Sequence, residues 1–267
     1  MIRKRLPRRL RHGEEATLVE HLGELRSRLL IGLLTIAPAF VVAFVFQERL
    51  VEWLTRPLPD DKQIVTLGVI EPFTTAVKVS LAAAVAVTLP VLLYQLWAFL
   101  APAIDDRVQR TVAVFAVMAS TLFAGGIAFS YFIVLPRALE FLTNFNEEIF
   151  EIQIRASYYF SFVTLTLLAT GLAFQMPIFI LALVRLRVLT AAQLRRNRRI
   201  GVLFMVVFAV LLPTVDPVSL ALEVVPLLIL FEASIWLSGI MEKRWKLDEP
   251  GWKLDEPDPD SLDRDLE

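Results

Sequence analysis

Residues 20–46 read EHLGELRSRLLIGLLTIAPAFVVAFVF. Two glutamates, a histidine and two arginines crowd positions 20–28, and from Leu29 to Phe46 no charge interrupts the apolar text. As a helix rising about 1.5 Å per residue, a run of this length is a membrane span rather than a buried helix of a soluble domain. Charges of both signs at its lip are more than anchoring needs, since arginine alone holds a helix end among phosphates. The rest of the chain agrees with a membrane reading. Its 267 residues are 56% hydrophobic, with a mean hydropathy of +0.61. The absence of cysteine excludes disulfides, thiolate metal sites and cysteine nucleophiles. The net charge of −1 averages over a segregated distribution and says little about partners.

Six apolar runs succeed one another. They are 29–46; 76–100, with Pro90 inside; 111–134, with Gly125-Gly126; 159–184, with Gln175 and Pro177; a short run at 200–212; and 218–237, with Glu223, Pro226 and Glu232. Basic residues gather before the first run (Arg3, Lys4, Arg5, Arg8, Arg9, Arg11, Arg26, Arg28) and between the fourth and fifth (Arg185, Arg187, Arg195, Arg196, Arg198, Arg199). The loops after runs one and three hold few basic residues among many acids. The positive-inside rule puts the first set in the cytoplasm, with both termini inside. Run five rises only about 20 Å against a hydrocarbon core of roughly 30 Å. Runs five and six therefore read as two short spans or as a re-entrant hairpin. After run one, Leu50, Val51, Trp53 and Leu54 keep a helical rhythm, which predicts a short helix lying on the outer surface. The chain divides into a basic segment at 1–16, a membrane domain at 17–244, and an acidic tail at 245–267 expected to be disordered. Polar residues separate the basic start from the first run, so it reads as a retained topology signal rather than a cleaved leader.

The candidate functional residues are polar groups at the edges of, or inside, these runs. Glu24 and Arg28 share a helix face. They read either as a self-paired helix end or as a carboxylate held at the cytoplasmic interface for a partner's guanidinium, which it takes in two parallel hydrogen bonds. Asp105 and Asp106 stand at the turn between runs two and three, as turn or capping residues or as further acids on the inner surface. Gln175 falls near mid-bilayer beside Pro177, which leaves the carbonyl of Ala173 without its helical donor. It reads as a local satisfier of that carbonyl or as a polar docking point for another helix. Glu223 and Glu232 are carboxyls inside run six, protonated or water-exposed by default. The HExxH, GxSxG, Walker and GxGxxG patterns are absent, and the histidines are His12 and His21. A secondary transporter is the rival class, but no internal repeat is visible and the interruption at Gln175-Pro177 has no counterpart. A scaffold that only gathers other spans is a further alternative.

HLGELRSRLL at 21–30 resembles the N-terminal signature of the TatC family, the multispanning core of the twin-arginine protein translocase. The likeness continues in order through IEPFTTAVKVSL, LPVLLYQLWAFLAPAI, GIAFSYFIVLPRALEFL, YFSFVTLTLLATGLAFQMPI and LLPTVDPVSL, over residues 17–244. The resemblance implies an all-α membrane bundle of six helices, concave, with both termini in the cytoplasm and short fifth and sixth helices. It implies a protein of the bacterial cytoplasmic membrane that binds twin-arginine signal peptides of folded cargo. It would work with single-span TatA/TatB-type subunits, associate with itself in a larger complex and use the proton-motive force. It implies no enzyme activity, no cofactor, no metal and no nucleic acid.

On these motifs Glu24 falls on the family's signal-binding glutamate and Arg26 on its neighbouring arginine. Phe99 falls on the aromatic before the first cytoplasmic loop. Gln175 falls on the intramembrane position linked to partner-helix contact. Pro57, Phe73 and Asp216 fall on loop positions of the opposite face. One departure stands out: the place of the family's second signal-binding glutamate is Val108 here. Asp105 or Asp106, about one helical turn earlier, is the expected substitute.

Overall fold

The computed structural model describes residues 18–100, 108–146, 148–149, 152–186, 188–212 and 216–245. The opening stretch forms α1 (Leu18–Val45). After a break at Phe46 the chain makes the short helix α2 (Gln47–Thr55), stopped before Pro57. Strand β1 (Ile64–Val65) leads into α3 (Glu71–Leu100). The third apolar run begins as α4 (Val108–Phe129), loosens into a π turn at Ser130–Val134, and continues as α5 (Leu135–Asn144). Strand β2 (Ile154–Arg155) pairs in parallel with β1, Ile64 opposite Ile154 and Val65 opposite Arg155. The fourth run is α6 (Ala156–Ala173) and α7 (Met176–Arg185), broken where Pro177 cannot donate. Then come α8 (Ala191–Arg196), α9 (Arg198–Val210) and α10 (Pro217–Trp245).

Among the described residues five helical segments are long and apolar enough to cross a membrane: Gly23–Val45, Glu71–Phe99, Ala113–Asn144, Ala156–Arg185 and Pro217–Lys243. Helix α9 has 13 residues, the short element expected for run five. The expectation of a short sixth helix is corrected, because α10 runs for 29 residues. No proline follows Leu237 before Pro250, and the single Gly239 does not stop the helix, so the polar turn of Glu242 and Lys243 continues it. That extension is also held from the side. The Ala191 amide donates to Glu242 Oε2 at 3.3 Å, and Arg195 lies against Gly239. Helix α8 itself starts on a capping box between Thr190 and Gln193.

Lipid gives helices no hydrophobic reason to associate, so close packing and small residues must do it. Helix α3 is the hub, packed against α1, α4 and α6. Helix α1 touches α3 along one line and buries only Gly32 among residues 23–45. Helices α4 and α6 meet at Gly126 and Gly171, where a Cβ on Gly126 would lie 2.9 Å from the Gly171 Cα. The short helix α2 forms as its rhythm predicts, but it is sewn into the bundle. Leu54 and Leu58 are buried with Leu135, Phe160 and Val163. Tyr159 donates to the Leu54 carbonyl at 2.9 Å and Tyr131 to that of Trp53 at 2.8 Å. The Trp53 and Tyr131 rings stack with centroids 4.0 Å apart.

Candidate functional site

The site is built where the start of α1 lies beside the end of α3. Glu24 stands one turn before Arg28 on α1, so their side chains meet on one face. Arg28 donates to Glu24 Oε1 through Nε at 3.0 Å and through Nη2. Its remaining nitrogen, Nη1, donates to Gln95 Oε1 on α3 at 3.3 Å. The pair is part-buried, with 33% of the glutamate and 22% of the arginine side chain exposed. This is the self-paired arrangement that i,i+4 spacing permits. A part-buried i,i+4 pair that still meets solvent contributes about 0.2–1 kcal/mol.

Immediately inward, α1 and α3 leave an open apolar groove of about 430 Å³. Leu25, Leu33 and Ile36 line one wall and Leu92, Leu96 and Phe99 the other, with Arg28 and Gln95 between them along the groove. Gly32 lies in the groove because a Cβ there would press on Leu92 Cδ2 at 3.0 Å. A carboxylate beside an apolar channel suits a chain that is cationic first and greasy after.

The remaining expected residues divide. Arg26 is exposed beside Glu24, on a different face from Arg28. Phe99 joins the groove. Asp105 and Asp106 lie outside the described residues, and Val108 opens α4. Gln175 sits in the α6–α7 break and donates through Nε2 to the Ala119 carbonyl of α4 at 3.0 Å. Its Oε1 is enclosed and accepts no hydrogen bond among the described residues. The hydrogen bond that its Nε2 makes goes to α4, not to the Ala173 carbonyl that Pro177 leaves without a helical donor. Glu223 is buried and accepts from Thr170 at 3.0 Å, tying α10 to α6. Glu232 pairs with Arg198.

The opposite-face residues are structural in their contacts. Asp216 is buried at the start of α10 and accepts the Ser219 amide at 2.7 Å, the N-cap position ahead of Pro217. Pro57 ends α2, and Phe73 is an exposed ring at the start of α3 set edge-on to Phe44.

Two groups that sequence reasoning missed stand out. Gln95 lies four residues before Phe99, so the two share a face of α3; a lone amide in a greasy run was the available signal. Glu71 is buried and takes Arg155 at 3.0 Å, the Ser157 amide at 2.9 Å and the Leu67 amide at 3.0 Å. It locks the β1–β2 corner to α3 and α6, a long-range contact that no local spacing announces.

Comparison with known proteins agrees with the resemblance read from the motifs. The family model for the Sec-independent protein translocase protein (TatC) matches residues 20–226. The chain is 32% identical over 243 residues to the Sec-independent protein translocase protein TatC of Desulforapulum autotrophicum, covering 90% of each. It is 33% identical to protein TatCd of Bacillus subtilis, over 88% of this chain and 97% of that one. A crystal structure of the twin arginine translocase receptor TatC in DDM superposes with a TM-score of 0.73 at 34% identity, covering 82% of this chain and 99% of that one. These matches run through α1, the groove and the long spans alike, and the chain belongs to the TatC family of Sec-independent protein translocase proteins.

Proposed function

We propose that this protein is the core receptor subunit of a twin-arginine translocase, and that Glu24 receives the arginine doublet of an export signal. The observation that carries this is the part-exposed Glu24 carboxylate, bonded to the Arg28 that lines the α1–α3 groove and next in sequence to Leu25 of its wall. Guanidinium and carboxylate match as planar forks, which an ammonium does not. A signal with Lys-Lys in place of Arg-Arg therefore binds more weakly. The apolar part of the signal follows along the groove past Leu92 and Phe99. Asp105 or Asp106 supplies the second carboxylate that Val108 does not.

The fold is proposed to cross the bacterial cytoplasmic membrane six times, with α9 as the short fifth span. Both termini are in the cytoplasm, and the bundle is concave. The distribution of Lys and Arg supports this orientation. Gln175 is proposed to dock a polar side chain of a single-span TatA/TatB-type partner, from its place as a part-exposed amide in the break between α6 and α7. The complex, self-associated and driven by the proton-motive force, passes folded proteins across the bilayer and performs no covalent chemistry. The test is crosslinking of a twin-arginine peptide to the full chain in membranes. Glu24→Ala and Glu24→Lys abolish the crosslink while the protein stays monodisperse; a crosslink that survives both substitutions refutes the assignment.

A further inference from the structure

One oxygen of the Glu24 carboxylate, Oε1, is already occupied. Arg28, one turn along the same helix, holds Glu24 through Nε and Nη2. Its ligand is the same chemical group that an arriving arginine brings. We infer that Arg28 is a resident competitor for Glu24, a latch that must be exchanged before a signal peptide can bind, and that Gln95 is the acceptor on which it lands. This inference rests on the reading of Glu24 as the signal receptor.

The geometry supports a swap rather than a simple opening. Arg28 donates to both partners at once, closely to Glu24 and at a longer 3.3 Å to Gln95 Oε1. When an incoming guanidinium takes Glu24, Arg28 keeps a hydrogen bond on α3 and is not stranded beside the apolar groove. Without that landing site, displacement would leave a charged group half out of water with no partner, which is costly. The latch opposes occupation of Glu24 whatever the ligand, so it scales all affinities by one factor.

The experiment is fluorescence polarisation of synthetic Arg-Arg and Arg-Lys signal peptides on the purified full chain in detergent, with size-exclusion profiles to verify folding. Two substitutions leave the net charge unchanged and move affinity in opposite directions. Arg28→Lys keeps the cation but loses the paired donation of Nε and Nη2 to Oε1, so the latch loosens and both peptides bind about two- to fivefold more tightly, the range set by a part-buried ion pair. Gln95→Leu removes the landing site, and both peptides bind about two- to fivefold more weakly, the cost of one neutral acceptor. A residue that merely braced the helix would weaken binding in both variants. If Glu24→Gln abolishes binding while Arg28→Lys weakens it or leaves it unchanged, the latch is refuted and the receptor reading stands. If Glu24→Gln binds like the wild type, the receptor reading itself fails and the latch with it. Should Arg28→Lys aggregate, unchanged or tighter binding in Gln95→Leu refutes the latch alone.

Discussion

Adjacent glycines in α4 should respond to alanine with opposite signs. Gly125 has no atom within 4 Å of an added Cβ. Gly125→Ala therefore introduces only the better helix former, a gain of about 0.5–1 kcal/mol. A Cβ on Gly126 would meet the Gly171 Cα at 2.9 Å and Phe174 Cγ and Cβ at 2.9 and 3.0 Å. These are a backbone atom and the root of a ring, not the free end of a flexible chain, so α4 and α6 must separate. Forced overpacking of this kind costs roughly 1–3 kcal/mol, against which the helix-propensity gain is smaller. The expected result for Gly126→Ala is a net loss of about 1–2 kcal/mol, or a fall of roughly 2–8 °C in the unfolding midpoint. The assay is loss of the monodisperse peak after heating in mild detergent, with the two variants run side by side. Equal midpoints for the two, or greater damage from Gly125→Ala, would show that the α4–α6 contact is not made at Gly126 and Gly171.

Other expectations follow from individual contacts. Asp216→Ala removes the cap from α10 and costs about 0.5–2 kcal/mol, while Asp216→Asn keeps most of it; thermal midpoints of the two variants separate capping from a loss of charge. Gln175→Leu removes both the bond to Ala119 and the enclosed acceptor, and should reduce recovery of a single-span partner on copurification; an undiminished yield refutes docking at this position. Glu71→Gln weakens the three contacts that hold the β1–β2 corner. It should lower the thermal midpoint more than Glu140→Gln, whose pair with Arg137 is exposed; the reverse order would deny Glu71 its structural role.

How much of this was readable beforehand depends on the range of the interaction. The long spans were legible because twenty-odd apolar residues have few other uses. The Glu24–Arg28 pair was legible because i,i+4 residues meet on any helix. The break at Gln175 was announced by Pro177, although the direction of the amide toward Ala119 was not. Gln95 stayed hidden because its role depends on α3 lying antiparallel against α1, which no local pattern encodes. The Glu71–Arg155 pair stayed hidden for the same reason. The short sixth helix came with the resemblance and not from hydropathy, whose sixth run at 218–237 is already long enough to span; the helix continues past it through Met241, Glu242 and Lys243. Tyr131 reaches α2 because the π turn at Ser130–Val134 sits between α4 and α5, and such turns have no sequence signature as plain as proline.

The most direct test of the central claim neutralises the inner acids together. A chain carrying Glu24→Gln, Asp105→Asn and Asp106→Asn is measured against an Arg-Arg signal peptide beside the wild type and the Glu24→Gln single variant. The account predicts that the single variant loses most of the affinity and the triple variant the remainder. Undiminished binding by the triple variant would contradict it.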